Sequence, residues 1–198
     1  MVRRYSAYAH RRTLSIAFAS SLACAAVVLS PREARASSFG HFDLGLDGEG
    51  TFNTAANSDL NNYGAGFKIR FGDQFKLKYG IRLTPEVGYA FDHLFPEGAL
   101  EPWNMNRVFA GARLGFGKWV VPTLYAHVGV GFRSVAANTN DILIQGTTTG
   151  FTLDTGVAVD FYLTRHFAIG PHAEFVDVGT TPVAPQWLAF GAHADIVF

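Results

Sequence analysis

The sequence predicts an all-β fold, an eight-stranded antiparallel transmembrane β-barrel with short periplasmic turns and longer extracellular loops. Three observations carry this. Eight segments alternate apolar with small or charged residues at a period of two, the spacing of a strand with two different faces. The connections between them alternate long and short, as in a barrel that crosses a membrane. Aromatic residues gather at both ends of the segments, with Ala, Leu, Val and Ile between them, as two membrane interfaces require.

The chain divides into a secretion signal, 1–36, and a barrel domain, 37–198. Arg3, Arg4, Arg11 and Arg12 form a positive start, and Leu14 to Leu29 is a charge-free apolar run of 16 residues. That run is short of the roughly 20 residues a spanning helix needs. Ala34-Arg35-Ala36 fits a small-x-small cleavage site, which puts the cut before Ser37. A lipoprotein reading would need Cys24 as the lipidated residue, but Ser21 stands three residues before it and apolar sequence continues past it. Arg11-Arg12 is only loosely a twin-arginine signal, and a barrel must reach its assembly machinery unfolded.

Removal of the signal changes the charge. Six Arg leave with it, so Lys plus Arg falls from 16 to 10, while the loss of Glu33 takes Asp plus Glu from 16 to 15. The remaining 162 residues carry a net charge of −5 and no cysteine, which excludes disulfides and thiolate metal sites. No later segment is apolar for long enough to form a transmembrane helix. In lipid that leaves a closed barrel, because only helices and barrels pair all their backbone groups internally.

In order, the expected strands are 42–52, 63–72, 75–91, 105–116, 122–133, 150–162, 167–175 and 188–198. The first presents Phe42, Leu44, Leu46 and Phe52 on one face. In the second, Tyr63, Ala65, Phe67, Ile69 and Phe71 oppose Gly64, Gly66, Lys68 and Arg70. The last presents Leu188, Phe190, Ala192, Ala194, Ile196 and Phe198. Long polar connections fall at Asn53–Asn62, Asp92–Asn104, Ser134–Thr149 and Val176–Gln186, and short ones at Asp73-Gln74, Gly117–Val121 and Leu163–His166. Pro85 and Pro171 lie inside strands and cannot donate to the ladder, so a bulge or local break is expected at each.

The inward face is small or charged. Lys68, Arg70, Lys76, Lys78, Arg82, Arg107, Arg113 and Arg133 fall on strands two to five. Asp43, Asp47, Glu49, Asp154, Asp160, Glu174 and Asp195 fall on strand one and strands six to eight, and Glu86 alone stands on the basic side. Strands one and eight pair to close a barrel, so acids and bases form opposing walls. An eight-stranded barrel is just wide enough to be filled by side chains, and buried charges need partners. Lys68, Arg70, Arg82, Glu86, Arg107, Arg113, Asp154, Asp160, Glu174 and Asp195 are therefore the expected structural charges of a filled lumen, not a wide pore.

Catalytic and ligand-binding readings find less support. His127, His172 and His193 point inward near acids, but no Ser stands where a hydrolase would need its nucleophile. No tight His spacing demands a metal, and no catalytic residue or cofactor is expected. The long loops carry Asp59, Asp92, Glu97, Glu101, Asp141 and Asp177 and no Lys or Arg, which argues against nucleic acid and other polyanions. Their apolar residues, Leu94, Phe95, Leu100, Trp103, Ile142, Leu143 and Ile144, either pack together, extend the strands, or form a surface for a partner. A soluble calyx would need the apolar face inside and the charges in water.

With these strands, aromatic ends and the terminal Phe198 in hand, 37–198 resembles the small outer-membrane barrels of the OmpA/OmpX type. Arg82-Leu83-Thr84-Pro85-Glu86-Val87-Gly88-Tyr89 and Gly170-Pro171-His172-Ala173-Glu174 are similar to segments of outer-membrane β-barrel domain proteins. The resemblance implies integral residence among outer-membrane lipid, with both termini periplasmic. It also implies insertion by the barrel-assembly machinery, which reads the last strand. The implied role is structural or surface contact, with an extracellular protein partner met through the loops. No peptidoglycan-binding domain follows the barrel, so cell-wall tethering is not expected. A lipid-modifying barrel enzyme and a narrow channel are the alternatives. If Phe198 is the assembly signal, deleting it lowers the amount of protein in the outer membrane, read by immunoblot of membrane fractions; normal levels would contradict that role.

Overall fold

A computed structural model describes residues 41–54, 63–95, 103–139, 142–179 and 185–198. The expected signal, 1–36, lies outside the described residues, as do Asp59, Glu97, Leu100, Glu101 and Asp141. The strands are β1 (His41–Asn53), β2 (Tyr63–Lys76), β3 (Ile81–Phe95), β4 (Trp103–Phe116), β5 (Val120–Thr139), β6 (Ile142–Tyr162), β7 (Phe167–Gly179) and β8 (Gln186–Val197). Each pairs antiparallel with its neighbours in sequence, and β8 pairs with β1 to close the barrel. No described helix is long and apolar enough to cross a membrane.

The stagger of the ladder sets the barrel's width. Paired residues run from Asp43 through Gly72, Glu86, Gly111, His127, Asp154, Val176 and Trp187 and return to β1 at Asn53, ten residues further on. Such a stagger over eight strands tilts them by roughly 40° and leaves an interior that side chains can fill.

Alternation then sorts residues between two solvents. Leu46, Val87, Val108, Leu124, Val157 and Phe190 point outward and are exposed, while Asp47, Lys68, Arg107 and Glu174 point inward and are buried. That inverts a soluble protein and matches a lipid-facing exterior. Aromatic pairs rim both ends. Phe42 lies 5.9 Å from Phe198 and 6.5 Å from Phe71, centroid to centroid, and Tyr63 stacks on Phe95 at 5.6 Å. Phe198 joins the seam directly, its N–H donating to the Phe42 carbonyl at 2.8 Å.

Several expected boundaries move. The turn expected at Asp73-Gln74 is instead strand: β2 continues to Lys76, and the chain reverses over a short 3-10 turn, Lys78–Gly80. The left-handed residues that make the reversal are Tyr79 (φ 63) and Gly80 (φ 74). A polar Asp-Gln pair imitates a turn, but it carries no left-handed residue; Gly80 does. The expected loop Ser134–Thr149 is mostly a hairpin, with β5 running to Thr139 and β6 starting at Ile142. Likewise β3 reaches Phe95, β4 starts at Trp103, and β7 reaches Gly179.

The prolines break the ladder without a bulge. Around Pro85 the β2–β3 pairing skips from Gly72↔Glu86 to Phe75↔Leu83, and around Pro171 the β6–β7 pairing skips from Ala158↔His172 to Phe161↔Ile169. The register is the same on both sides of each gap, so no residue is inserted. Each proline remains paired on its other side, Pro85 with Ala112 and Pro171 with Ala192.

Candidate functional site

The lumen is where the chain concentrates its chemistry. Among the described residues, nine carboxylates are buried there (Asp43, Asp47, Glu49, Glu86, Asp92, Asp154, Asp160, Glu174 and Asp195) beside four cations, Lys68, Arg70, Arg107 and Arg113. Glycine makes room for the long cations. A Cβ on Gly45 would lie 2.6 Å from both the Arg70 guanidinium carbon and Asp195 Oδ1, so that inward position must stay bare for Arg70 to cross.

Arg70 of β2 is one hub. Its Nη2 donates to Asp47 Oδ1 and Asp195 Oδ1, each at 2.8 Å, and its Nε to Asp47 Oδ2 at 2.9 Å, while Nη1 reaches Glu86 at 3.2 Å. Arg107 of β4 is the second, with Asp154 at 2.6 Å, Asp92 at 3.0 Å, Glu49 at 3.6 Å and Glu174 at 3.7 Å. Lys68 pairs with Glu174 and, at 3.4 Å, with Glu49. Arg113 holds Asp160 at 2.9 Å and Asp195 at 3.3 Å. The structure thus brings together nine of the ten sequence-predicted lumen charges. Arg82 turns elsewhere: its Nη2 donates to the Lys118 carbonyl at 2.7 Å, and its guanidinium lies 4.0 Å from the Tyr162 ring centroid.

Other expectations are corrected. Lys76 ends β2 and Lys78 sits in the following turn, both exposed and not lumenal, because β2 runs past Asp73-Gln74. Asp92, expected in a loop, is fully buried on Arg107. Its parity with Glu86 and Ala90 was the available signal. Leu94 and Trp103, expected in the same loop, are buried with Met105, Val176, Val178, Trp187 and Ala189 in an apolar cluster. This cluster lies across the barrel at the end remote from the termini, with Trp103 and Trp187 edge-on at 6.4 Å. Two arginines cover its rings, Arg107 at 5.4 Å from Trp187 and Arg133 at 4.4 Å from Trp103.

The inward histidines serve the same network. His127 meets Glu86 at 2.7 Å, His172 meets Glu49 at 3.2 Å, and His193 meets Asp160 at 2.9 Å. The only serine among the described residues, Ser134, is exposed and near the far end of β5, so no His–Ser pair forms. Asp160, His193 and Asp195 are close enough together to consider a metal, with donor atoms within 4.8 Å of one another. Their carboxylate oxygens already have donors, however. Arg113 and Thr123 serve Asp160, and Arg70 and Arg113 serve Asp195. That is the donor set of an ion-pair cluster.

Removing one member of a buried ion cluster leaves its partners charged and unpaired, which costs about 3–5 kcal/mol. Arg70→Met, which keeps most of the length and loses the charge, is therefore expected to destabilise the barrel by that order, read as a lower urea midpoint for unfolding in detergent micelles. An unchanged midpoint would contradict the assignment of Arg70 as a hub.

The comparisons with known proteins agree with this architecture. A family model described as the outer membrane protein beta-barrel domain matches residues 20–191. Among solved structures, Neisserial surface protein A superposes with a TM-score of 0.61 at 15% identity, covering 79% of this chain and 97% of that one. Ail, the attachment invasion locus protein of Yersinia pestis, gives 0.58 at 15% identity, covering 80% and 100%. Ail in complex with the heparin analogue sucrose octasulfate gives 0.53 at 16% identity, again covering 80% and 100%. At these identities the structural likeness speaks to fold alone. No curated protein matches the chain in sequence. With the family model spanning most of its length, the chain belongs to the outer membrane β-barrel domain family and is an integral outer-membrane protein.

Proposed function

We propose that this barrel is a closed scaffold, not a pore and not an enzyme, and that its role is structural or one of surface contact. The observation that carries the reading is the lumen. Arg70 and Arg107 each span several strands to reach their carboxylates, and the apolar cluster of Leu94, Trp103, Met105, Val176, Val178 and Trp187 lies across one end. Both fill an interior that eight strands make narrow from the outset. An enzymatic reading would need a substrate to reach one of the lumen histidines, and His127, His172 and His193 are all buried among carboxylates and aromatic rings.

The reading places residues 1–36 as a cleaved signal and both termini in the periplasm, with insertion by the barrel-assembly machinery. The long connections then face outward. Ail is described with a heparin analogue, but the long connections here contain no Lys or Arg, so a polyanion finds no counter-charge. A protein partner suits them better. Leu94 and Trp103 are not part of such a surface, being buried. Contact falls instead to the connecting segments and to the β5–β6 hairpin, whose pairing continues to Thr139↔Ile142, beyond the last β4–β5 pair, Trp103↔Val135.

Planar-bilayer recordings test the closed lumen. The purified barrel is expected to give no large, stable single-channel current; large, steady steps would overturn the reading.

A further inference from the structure

The end of the barrel that carries the termini is tied into one rim. Gly117 of the second short turn donates its N–H to the Gly80 carbonyl of the first at 3.0 Å. Tyr162 donates to the Trp119 carbonyl at 2.8 Å, which joins the second turn to the start of the third. Val197 donates to the His166 carbonyl at 2.9 Å, and Arg82 Nη2 donates to the Lys118 carbonyl at 2.7 Å. The side chains of the three turns are therefore held at one level around the barrel.

Those side chains are basic. Lys76, Lys78, Lys118 and Arg165 are exposed, and among the described residues no other Lys or Arg is. Asp73 is the one exposed acidic side chain at this end among the described residues. Lys78, Lys118 and Arg165 join no ion pair among the described residues. Arg82 and Arg165 both act on the Lys76 ammonium, so like charges gather on the rim. The opposite end has the reverse sign: its long connections carry Asp59, Glu97, Glu101, Asp141 and Asp177 and no Lys or Arg. A surface of one sign draws counter-charge to it.

Position selects that counter-charge. The cations begin where the outward aromatics end. Lys76 follows Phe75, Lys118 stands two residues after Phe116, and Arg165 stands two before Phe167. In a bilayer the layer just beyond an aromatic girdle is that of the lipid headgroups. Apolar side chains stand in the open between the cations: Tyr79 is 96% exposed, Leu163 59% and Trp119 53%. A soluble polyanion offers nothing to these, whereas a headgroup layer takes rings and Lys stems together with their charges.

We propose that this rim binds the phosphodiester headgroups of anionic phospholipid, phosphatidylglycerol being the simplest, through Lys78, Lys118 and Arg165, with Tyr79 and Trp119 seated among the headgroups. The barrel thereby gathers acidic lipid around one end and not the other. The inference goes beyond the closed-scaffold reading. Its placement in the inner leaflet rests on that reading's periplasmic termini, but its test does not, because the vesicles carry the same lipids on both sides.

The test uses the refolded barrel in phosphatidylcholine vesicles with a minor share of phosphatidylglycerol, with bromine on the acyl chains of one lipid or the other. Brominated chains quench tryptophan fluorescence on contact. Phe116→Trp adds a lipid-facing reporter beside Trp119, while Trp103 and Trp187 are buried at the far end. A basic side chain near an anionic surface favours it by a factor on the order of five. Brominated phosphatidylglycerol is therefore expected to quench severalfold more, per molecule, than brominated phosphatidylcholine. Molar sodium chloride should remove most of that excess, and Lys78→Gln, Lys118→Gln and Arg165→Gln together should bring it close to unity. Equal quenching by the two lipids, or an excess unchanged in the triple variant, would overturn the proposal. So would an excess that inorganic phosphate removes and sodium chloride of equal ionic strength does not, because the site would then take free phosphate. If the triple variant does not fold, the lipid comparison and its salt dependence with the three cations intact still decide the matter.

Discussion

In hydrocarbon there is no water to satisfy a backbone N–H or C=O, and the structure is organised around that constraint. Eight strands meet it only because β8 returns to pair with β1, from Asp43↔Val197 to Asn53↔Trp187. Closure with a stagger of ten residues fixes the diameter, and the diameter fixes what the interior can be. With the outward positions given mostly to Leu, Val, Phe and Ala, nearly every charged side chain at the middle of the spanning strands is driven inward. There it must find a partner, since an unpaired buried charge costs several kcal/mol.

The same closure decides which charges meet. Arg70 lies 125 residues from Asp195 in sequence, and Lys68 lies 106 from Glu174, yet the stagger brings each pair together. Glycine at position 45 is a consequence of that packing, since any side chain there would occupy the Arg70 guanidinium's place. Toward the far end the network gives way to Trp103, Trp187, Met105 and the valines, which need no partners and exclude water by packing. Toward the termini it ends at Asp43, a buried carboxylate that joins no ion pair among the described residues. The lumen is thus polar at one end and apolar at the other, within a single β-ladder.

Much of this was legible in the sequence because a strand's period of two is local. Which residues face inward follows from parity alone, and Lys68, Arg70, Arg107, Arg113, Glu174 and Asp195 all lie as parity dictates. Boundaries were less legible. Asp73-Gln74 has the composition of a turn but runs on as strand, while the true reversal uses Tyr79 in a left-handed conformation that its side chain does not advertise. Asp92 and Trp103 bound a stretch that has the polar composition of a loop, although their alternation continues that of Glu86 and Arg107. The partner of each charge was not legible at all, since it depends on the stagger, which no single strand records.

The central claim is that side chains fill the lumen. Ala158 on β6 points inward and is 4% exposed, while Leu46 on β1 points outward and is 56% exposed. The only native cysteine, Cys24, lies in the segment read as signal, so a cysteine placed at either position in 37–198 is the sole thiol. The direct measurement is labelling of Ala158→Cys in the folded barrel by a small, water-soluble maleimide. The account predicts no reaction until the barrel is unfolded, with Leu46→Cys labelled in the folded state by a lipid-soluble maleimide. Rapid labelling of folded Ala158→Cys by the water-soluble reagent would contradict it, because that reagent can reach position 158 only through an open lumen.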